Sequence, residues 1–372
     1  MEEAGTVRVD FDILEQFMVD TFTALGVPEA DAQVSAEVLI TADKRGIASH
    51  GIARLKSHYY DRIRAGIQSP TTQIEVVRES STTAVLDGHD GMGHLVAKRA
   101  MQLAIDKAAQ LGMGMVVVRN STHYGIAGYY AMMAAEAGMI GMTGTNARPS
   151  IAPTFGVENM LGTNPLTFGM PTDEAFPFVL DCATSIVQRG KVEVYARAGK
   201  AMPAGWVIDE NGETATDSQA ILKLLVEGRA SLLPLGGAGE ETSGYKGYGY
   251  ATVVEILSSA LQSGSYLRAL MGFQDGKPVP IRVGHFFQAV NISHFIDLDE
   301  FKKNVGDLLR ELRSSKKAPG CERIYTAGEK EYLFWQAEKD LGVPINPALQ
   351  KELLAIRNDL GLTKYQFKGF AE

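Results

Sequence analysis

A histidine and an arginine four positions apart sit in the stretch Ser49-His50-Gly51-Ile52-Ala53-Arg54. Ser49 reads as an N-cap and His50 to Arg64 as helix, which places Arg54 one turn beyond His50 on the same face. An arginine there can grip a carboxylate through its planar fork, and the imidazole can exchange a proton near neutral pH. The same residues also suit a capped surface helix whose His and Arg are solvated. A second polar island, Asn120-Ser121-Thr122-His123-Tyr124-Gly125, follows an apolar β-branched run and precedes a helical pattern. Ligands of α/β proteins gather at such strand ends, and helix-start N–H groups hold anions. His123 to Ala127, with Tyr124, Gly125 and Ile126 between, could therefore line a cofactor diphosphate or a reacting centre, or form a polar loop.

Two further islands are less specific. Gly162-Thr163-Asn164-Pro165 and Asp181-Cys182-Ala183-Thr184-Ser185 fall at strand boundaries. Asp181 could orient a histidine or cap the next helix, and Cys182 reads as a small packed hydrophobe. Residues 233–248, with Lys246 among glycines and tyrosines, read as a glycine-rich loop, either a mobile phosphate-facing lid or a place of close helix packing.

The elements that must hold these islands follow from periodicity. Helices are predicted over Phe11–Leu25, Pro28–Lys44 and His50–Arg64. Strands at Gln73–Arg78 and Thr82–Leu86 come next, then a helix over Gly93–Leu111, a strand at Gly114–Val118, a helix over Gly125–Ala137 and a strand at Met139–Thr143. This β-α-β rhythm suggests an α/β layer, and taken alone a parallel one. A strand at Pro177–Leu180, helices near Lys191–Arg197 and Tyr250–Gln262, a strand at Val283–Val290, a helix over Asp297–Lys316 and two closing helices complete the chain. The helices of both ends (1–70 with 297–372) are expected to pack together beside an α/β body (71–296).

Composition narrows the function. The chain has 372 residues and a net charge of −8, with no basic run, which opposes a nucleic-acid binder. The acidic start does not look like a signal peptide, and no long uncharged apolar run suggests a membrane span. Two cysteines, Cys182 and Cys321, form no disulfide framework or zinc signature, and their scarcity fits a cytoplasmic protein. No metal site is expected. GxGxxG after a strand, GxxxxGK[ST], HExxH and GxSxG are all absent.

Taken together the islands resemble one family, the non-Rossmann malate/L-lactate dehydrogenases, which include sulfolactate and ureidoglycolate dehydrogenases and diketogulonate reductases. The matching stretches are ADKRGIASHGIARL (42–55), NSTHYGIAGYYAMMAAEAGMIG (120–141), APTFGVENMLGTNPLTFGMPT (152–172), LDCATSIVQRGKVEVYARAGKAMPAGWVID (180–209), LLPLGG (232–237), GYKGYGYATVVEIL (244–257), VGHFFQAV (283–290) and AGEKEY (327–332). The resemblance implies a sulfolactate-dehydrogenase-like fold that binds NAD or NADP on a mixed or largely antiparallel sheet, which replaces the parallel reading. It implies a homodimer with its active site at the interface and a 2-hydroxy/2-oxo acid substrate, with malate first. Ureidoglycolate, sulfolactate, lactate or diketogulonate are alternatives, as is a non-catalytic cofactor-binding relative. By the same resemblance His50 or His123 is the acid–base, His50 first because Arg54 sits beside it, with Ser49 and Asp181 in support. Arg54 binds the substrate carboxylate; Thr163, Arg189 and Gly190 lie on the substrate side. His123 to Ala127, Asp181, Cys182, Ala183, Ser231, Gly328, Glu329 and Lys330 contact the cofactor. An aspartate of one imine-reducing branch is replaced here by Gly190-Lys191, which speaks against an imine substrate.

Overall fold

A computed structural model describes residues 3–370. The chain begins with β1 (Val7–Val9), α1 (Phe11–Ala24) and α2 (Glu29–Lys44). Asp10 caps α1 by accepting from the N–H groups of Asp12 and Ile13, and Phe11, Leu14, Phe17, Met18 and Phe22 bury one face at helical spacing. A 3₁₀ turn (Ile52–Arg54), a π-helical turn (Leu55–Tyr60) and the short α3 (Asp61–Arg64) follow. Then come β2 (Glu75–Glu79), β3 (Thr83–Asp87), α4 (Gly93–Leu111), β4 (Met113–Ser121), α5 (Ala127–Glu136), β5 (Met139–Thr145), β6 (Leu166–Met170) and β7 (Phe178–Cys182). The next part holds α6 (Arg189–Arg197), β8 (Val207–Asp209), α7 (Ser218–Glu227), β9 (Ala230–Leu232), α8 (Gly244–Ser258), β10 (Phe273–Gln274) and β11 (Lys277–Pro278). The chain closes with β12 (Val283–Asn291), α9 (Leu298–Ser314), α10 (Glu329–Glu338), β13 (Val343–Ile345) and α11 (Pro347–Asp359).

The central sheet has seven strands in the order β2-β3-β4-β12-β5-β6-β7. Only β3 and β4, joined by α4, pair in parallel; every other neighbour is antiparallel. This bears out the mixed sheet and overturns the parallel one. The β4-α5-β5 rhythm is present, but β12 arrives from 140 residues on and inserts between β4 and β5, antiparallel to both. Local periodicity cannot reveal an insertion that depends on so distant a strand.

One core cluster joins both ends of the chain, from Phe11, Phe17 and Tyr59 to Ile345, Leu353 and Phe370, and β1 pairs with β13. Helix α9 sits elsewhere, its Arg310 and Arg313 bonded to Asp173 and Glu174 of the central body. A separate cluster of Ile151, Val192, Val207, Ile221 and Leu232 builds a small lobe from α6, β8, α7 and β9. Periodicity did not pick out α7, β8 or β9. The stretch read as a glycine-rich loop runs into helix at its end: α8 begins at Gly244, and added Cβ atoms at Gly244 and Gly247 would lie 1.9 Å from Gly237 O and 2.2 Å from Leu235 O. The glycines thus serve close packing, and Lys246 is exposed beside the Tyr245 ring.

Candidate active site

The predicted helix over His50–Arg64 does not form as such. Ser49 is not its N-cap; the Ser49 hydroxyl bonds instead to His50 Nδ1 at 2.9 Å. The first turn starts at Ile52, whose N–H donates to the buried Asp43 carboxylate at 2.7 Å. Gly51 makes this possible, because a Cβ there would lie 2.1 Å from Asp43 Oδ1. Burial pushes the Asp43 carboxyl up to about 7, with the Ile52 N–H pulling the other way. The 3₁₀ turn, the wide π-turn and α3 then carry Arg54, His58 and Arg62 in succession along one wall of a cleft, and Leu55 and Tyr59 point into the core.

His123 approaches from the opposite side, in the loop between β4 and α5. Thr122 anchors that loop, accepting from Gly93 N at 3.0 Å and donating to Gly91 O at 2.8 Å. Gly93 has no Cβ, which would meet Thr122 O at 2.3 Å. Gly125 takes φ +80° and lies against Val38. Tyr124 stacks 4.3 Å from the buried His285, whose two ring nitrogens are tied to Thr145 and Ser121, each at 2.8 Å.

The cleft, about 300 Å³, brings together His50, Arg54, His123, Tyr124, Gly125, Thr163, Arg189 and Gly190 of the residues singled out in the sequence. It adds His58, Arg62, Asn146 and Arg148, which sequence reasoning missed. The signal for two of them was present: Arg54, His58 and Arg62 recur every four residues, one face of a helix. Among the described residues the lining holds four arginines and no aspartate or glutamate. Arg189 pairs with Glu193 at 3.1 Å, but among the described residues no carboxylate forms an ion pair with Arg54, Arg62 or Arg148. Burial lowers the pKa of Arg54 and Arg62, and the charges of Arg148 and Arg54 press Arg62 the same way.

The three cleft histidines are held neutral. Burial, helped by Arg54, brings His50 down to about 4. Burial, then Arg62, Arg54 and His50, brings His58 to about 3. His123 falls well below its ordinary value, first through burial and then through His58, His50, His94 and Arg54. The His50 and His123 rings stack with centroids 5.8 Å apart, and His58 meets His123 edge-on at 4.9 Å. His123 Nδ1 bonds to the Tyr59 hydroxyl and lies 3.4 Å from Gly125 N. Nε2 is therefore the ring nitrogen left for the cleft.

Asp181 orients no histidine. Its oxygens accept from Gly128 N at 2.7 Å and Thr167 Oγ1 at 3.0 Å, so it caps α5 across the sheet rather than the helix that follows it. Burial raises its pKa against those two hydrogen bonds. Cys182 is exposed on the edge strand β7, not packed as a small hydrophobe. Ser231 is buried in β9 with its hydroxyl on Val157 O, outside the cleft lining. Gly328, at φ +90°, opens α10 against β7, where Val179 N donates to Ala327 O. Glu329 is buried and paired with Arg323 and Arg313, and Lys330 is exposed over the Tyr325 ring. Asp181 and Glu331 of α10 both act on Arg45, whose pKa burial lowers against their two charges. No group of His, Cys, Asp or Glu among the described residues is arranged to hold a metal, and no helix is long and apolar enough to cross a membrane.

Comparison with known proteins agrees with this architecture. The family model of malate/L-lactate dehydrogenase matches residues 9–354. A malate dehydrogenase of Pyrococcus abyssi is 46% identical over 356 residues, 96% of each chain. The L-sulfolactate dehydrogenase of Methanocaldococcus jannaschii is 37% identical over 350 residues, 94% of this chain and 96% of that one. The crystal structure of malate dehydrogenase from Entamoeba histolytica superposes with a TM-score of 0.91 at 45% identity, covering 96% of this chain and 98% of that one. The seven-stranded mixed sheet, its cationic cleft and these full-length matches place the chain in the malate/L-lactate dehydrogenase family of oxidoreductases.

Proposed function

We propose that the protein interconverts malate and oxaloacetate with NAD or NADP. One observation carries the reading: a cleft with two stacked histidines and three arginines that form no ion pair with a carboxylate among the described residues. Desolvated, uncompensated arginines favour a ligand with more than one negative charge, and a four-carbon dicarboxylate supplies two. Arg54 holds the carboxylate next to the reacting carbon, and Arg62 with Arg148 holds the distal one. Thr163 and Arg189 close the substrate side.

His123 is the acid–base. Its Nδ1 is anchored from the protein interior, whereas the Nδ1 partner of His50 is the exposed Ser49. In oxidation His123 Nε2 takes the hydroxyl proton as hydride leaves C2. In reduction the same nitrogen returns the proton to the oxygen where negative charge develops. A neutral His123 suits the first direction in the tautomer whose Nε2 is bare. In the second, the charge of the bound oxo acid offsets the arginines and lets the imidazolium form.

Members of the family use NAD or NADP. The donor set fits such a group: a cationic cleft without carboxylates adjoins the start of α5, where Gly125 holds positive φ, and Gly328, also at positive φ, opens α10 beside β7. Tyr124 to Ala127, Asp181 to Ala183 and Gly328 to Lys330 would hold it. When bound, the nicotinamide supplies the hydride acceptor or donor. The proposal includes a homodimer: α8 leaves Tyr250, Val253 and Ile256 each about half exposed along one face, an apolar stripe that a second copy would cover.

The test offers oxaloacetate, pyruvate, sulfopyruvate, oxalurate and diketogulonate with NADH and then NADPH, following absorbance of the reduced cofactor. Oxidation is expected with oxaloacetate and lost in Arg54→Ala and His123→Ala. Folded protein that oxidises neither cofactor with any acceptor refutes the reading; turnover only with a monoanionic acceptor refutes the dicarboxylate.

A further inference from the structure

Tyr59 and His94 are wholly buried, and they come from different elements, the π-helical turn and the first turn of α4. The Tyr59 hydroxyl lies 2.9 Å from His94 Nε2 and bonds on its other side to His123 Nδ1. The remaining nitrogen of His94, Nδ1, is buried with no partner. A chain of neutral groups therefore runs from a sealed end at His94, through Tyr59, to a histidine that opens on the cleft. We propose that Tyr59 and His94 are positioning residues that set which nitrogen of His123 carries its hydrogen. This rests on the acid–base role given to His123 above.

The chain has two self-consistent polarities, and both hold the same number of hydrogens. In the first, His94 Nε2–H donates to Tyr59, Tyr59 donates to His123 Nδ1, and His123 carries its hydrogen on Nε2. In the second, His123 Nδ1–H donates to Tyr59, Tyr59 donates to His94 Nε2, and His94 carries its hydrogen on Nδ1. Only the second leaves Nε2 bare for the hydroxyl proton. It also survives that uptake, because the imidazolium keeps its Nδ1–H on the Tyr59 oxygen. The first is favoured at rest: it leaves His94 Nδ1 a bare lone pair rather than an unpaired N–H, and it receives the Gly125 N–H at His123 Nδ1.

A hydroxyl can donate or accept, so it serves both polarities; the carboxylate that orients histidine in a Ser-His-Asp triad can only accept. The choice of neutral partners has a second consequence. His123 already faces Arg54, His50 and His58 on the cleft side and Tyr59 and His94 on the buried side. With no counter-charge behind it, His123 stays neutral until an anionic substrate enters.

Tyr59→Phe removes one oxygen and keeps the ring that packs against Phe22. Its kcat for oxaloacetate reduction is expected to fall about ten- to a hundredfold. KM should stay within about threefold, and the pH limb of kcat should move to lower pH by roughly half a unit or more, because the imidazolium loses its Nδ1 acceptor. His94→Phe should move the same limb in the same direction, and the double variant should be little worse than Tyr59→Phe alone. His94→Gln, whose amide can still meet the hydroxyl, should recover part of the loss. Ring ¹⁵N NMR provides a readout independent of turnover: His123 should show one tautomer in the wild type and a mixture in Tyr59→Phe. Unchanged kcat and pH profile with the same tautomer in both proteins would overturn the proposal, as would a loss confined to KM. A wild-type protein inactive with every oxo acid would instead sink the functional reading, and the NMR comparison would still decide the role of Tyr59 and His94.

Discussion

Arg62→Gln offers a sharp test of the dicarboxylate reading. Arg62 lies in the cleft with no carboxylate partner among the described residues, and the charges of Arg148 and Arg54 repel it. In the free protein its charge is therefore a liability; only a bound anion makes it useful. A hydrogen bond to a charged group contributes about 1.5–3 kcal/mol, which at about 1.4 kcal/mol per decade is roughly a ten- to 150-fold rise in KM for oxaloacetate. Pyruvate, which lacks the distal carboxylate, should lose far less, so the ratio of kcat/KM for the two acids should drop by most of that factor. Removing a repelled, desolvated charge should also leave thermal stability unchanged or higher. Steady-state kinetics with both acids and a melting curve read all three quantities. Equal losses for oxaloacetate and pyruvate, together with a lower melting temperature, would show that Arg62 holds the turn in place and would refute the distal-anion role.

Other consequences of the geometry are accessible to simple measurements. His123→Ala should lower kcat about 10²- to 10⁴-fold, the usual contribution of a positioned acid–base group, and His50→Ala should cost much less; the reverse order in initial-rate assays returns the acid–base role to His50. Gly51→Ala would force a methyl into the Asp43 carboxylate, 2.1 Å and 2.2 Å from its two oxygens. Equilibrium urea unfolding should show a loss of about 1–3 kcal/mol, the scale of overpacking in a tight interior, and a change within error would mean the loop relaxes freely. The fully buried His94 and His285 both have folded pKa values near 3. The unfolded chain, with histidine near 6.5, binds more protons between those limits, so stability is full above about pH 6.5 and falls as pH drops toward 3. At pH 5 the two together should cost about 4 kcal/mol relative to pH 7.5. Unfolding curves that coincide at those two pH values would contradict the burial of neutral imidazoles.

What could be read from the sequence, and what could not, follows the range of the interactions involved. Helix α1 was legible because its apolar spacing and the Gly26 stop both lie within 16 residues of Phe11. His50, Arg54 and His123 were legible as polar groups in short islands and Arg189 through the family resemblance, and they do meet in one cleft. The turn that carries Arg54 was misread as a plain helix because its cap is Asp43, on the preceding helix and not the adjacent serine. Asp181 was misread for the same reason: its target, Gly128, lies on an element that only the sheet brings near. The insertion of β12 between β4 and β5 is the largest such case, and it also delivers His285 beneath Tyr124. His94 is the clearest. In sequence it is one histidine at the start of an amphipathic helix, with no polar neighbour to mark it. Its partner Tyr59 sits 35 residues earlier, and theirs, His123, 64 residues beyond Tyr59. Groups that touch a substrate tend to cluster in loops and so leave a local trace. Groups that orient them are recruited from whichever elements the fold happens to stack behind, and a hydroxyl or imidazole buried for that purpose looks, in the sequence, like any other core residue.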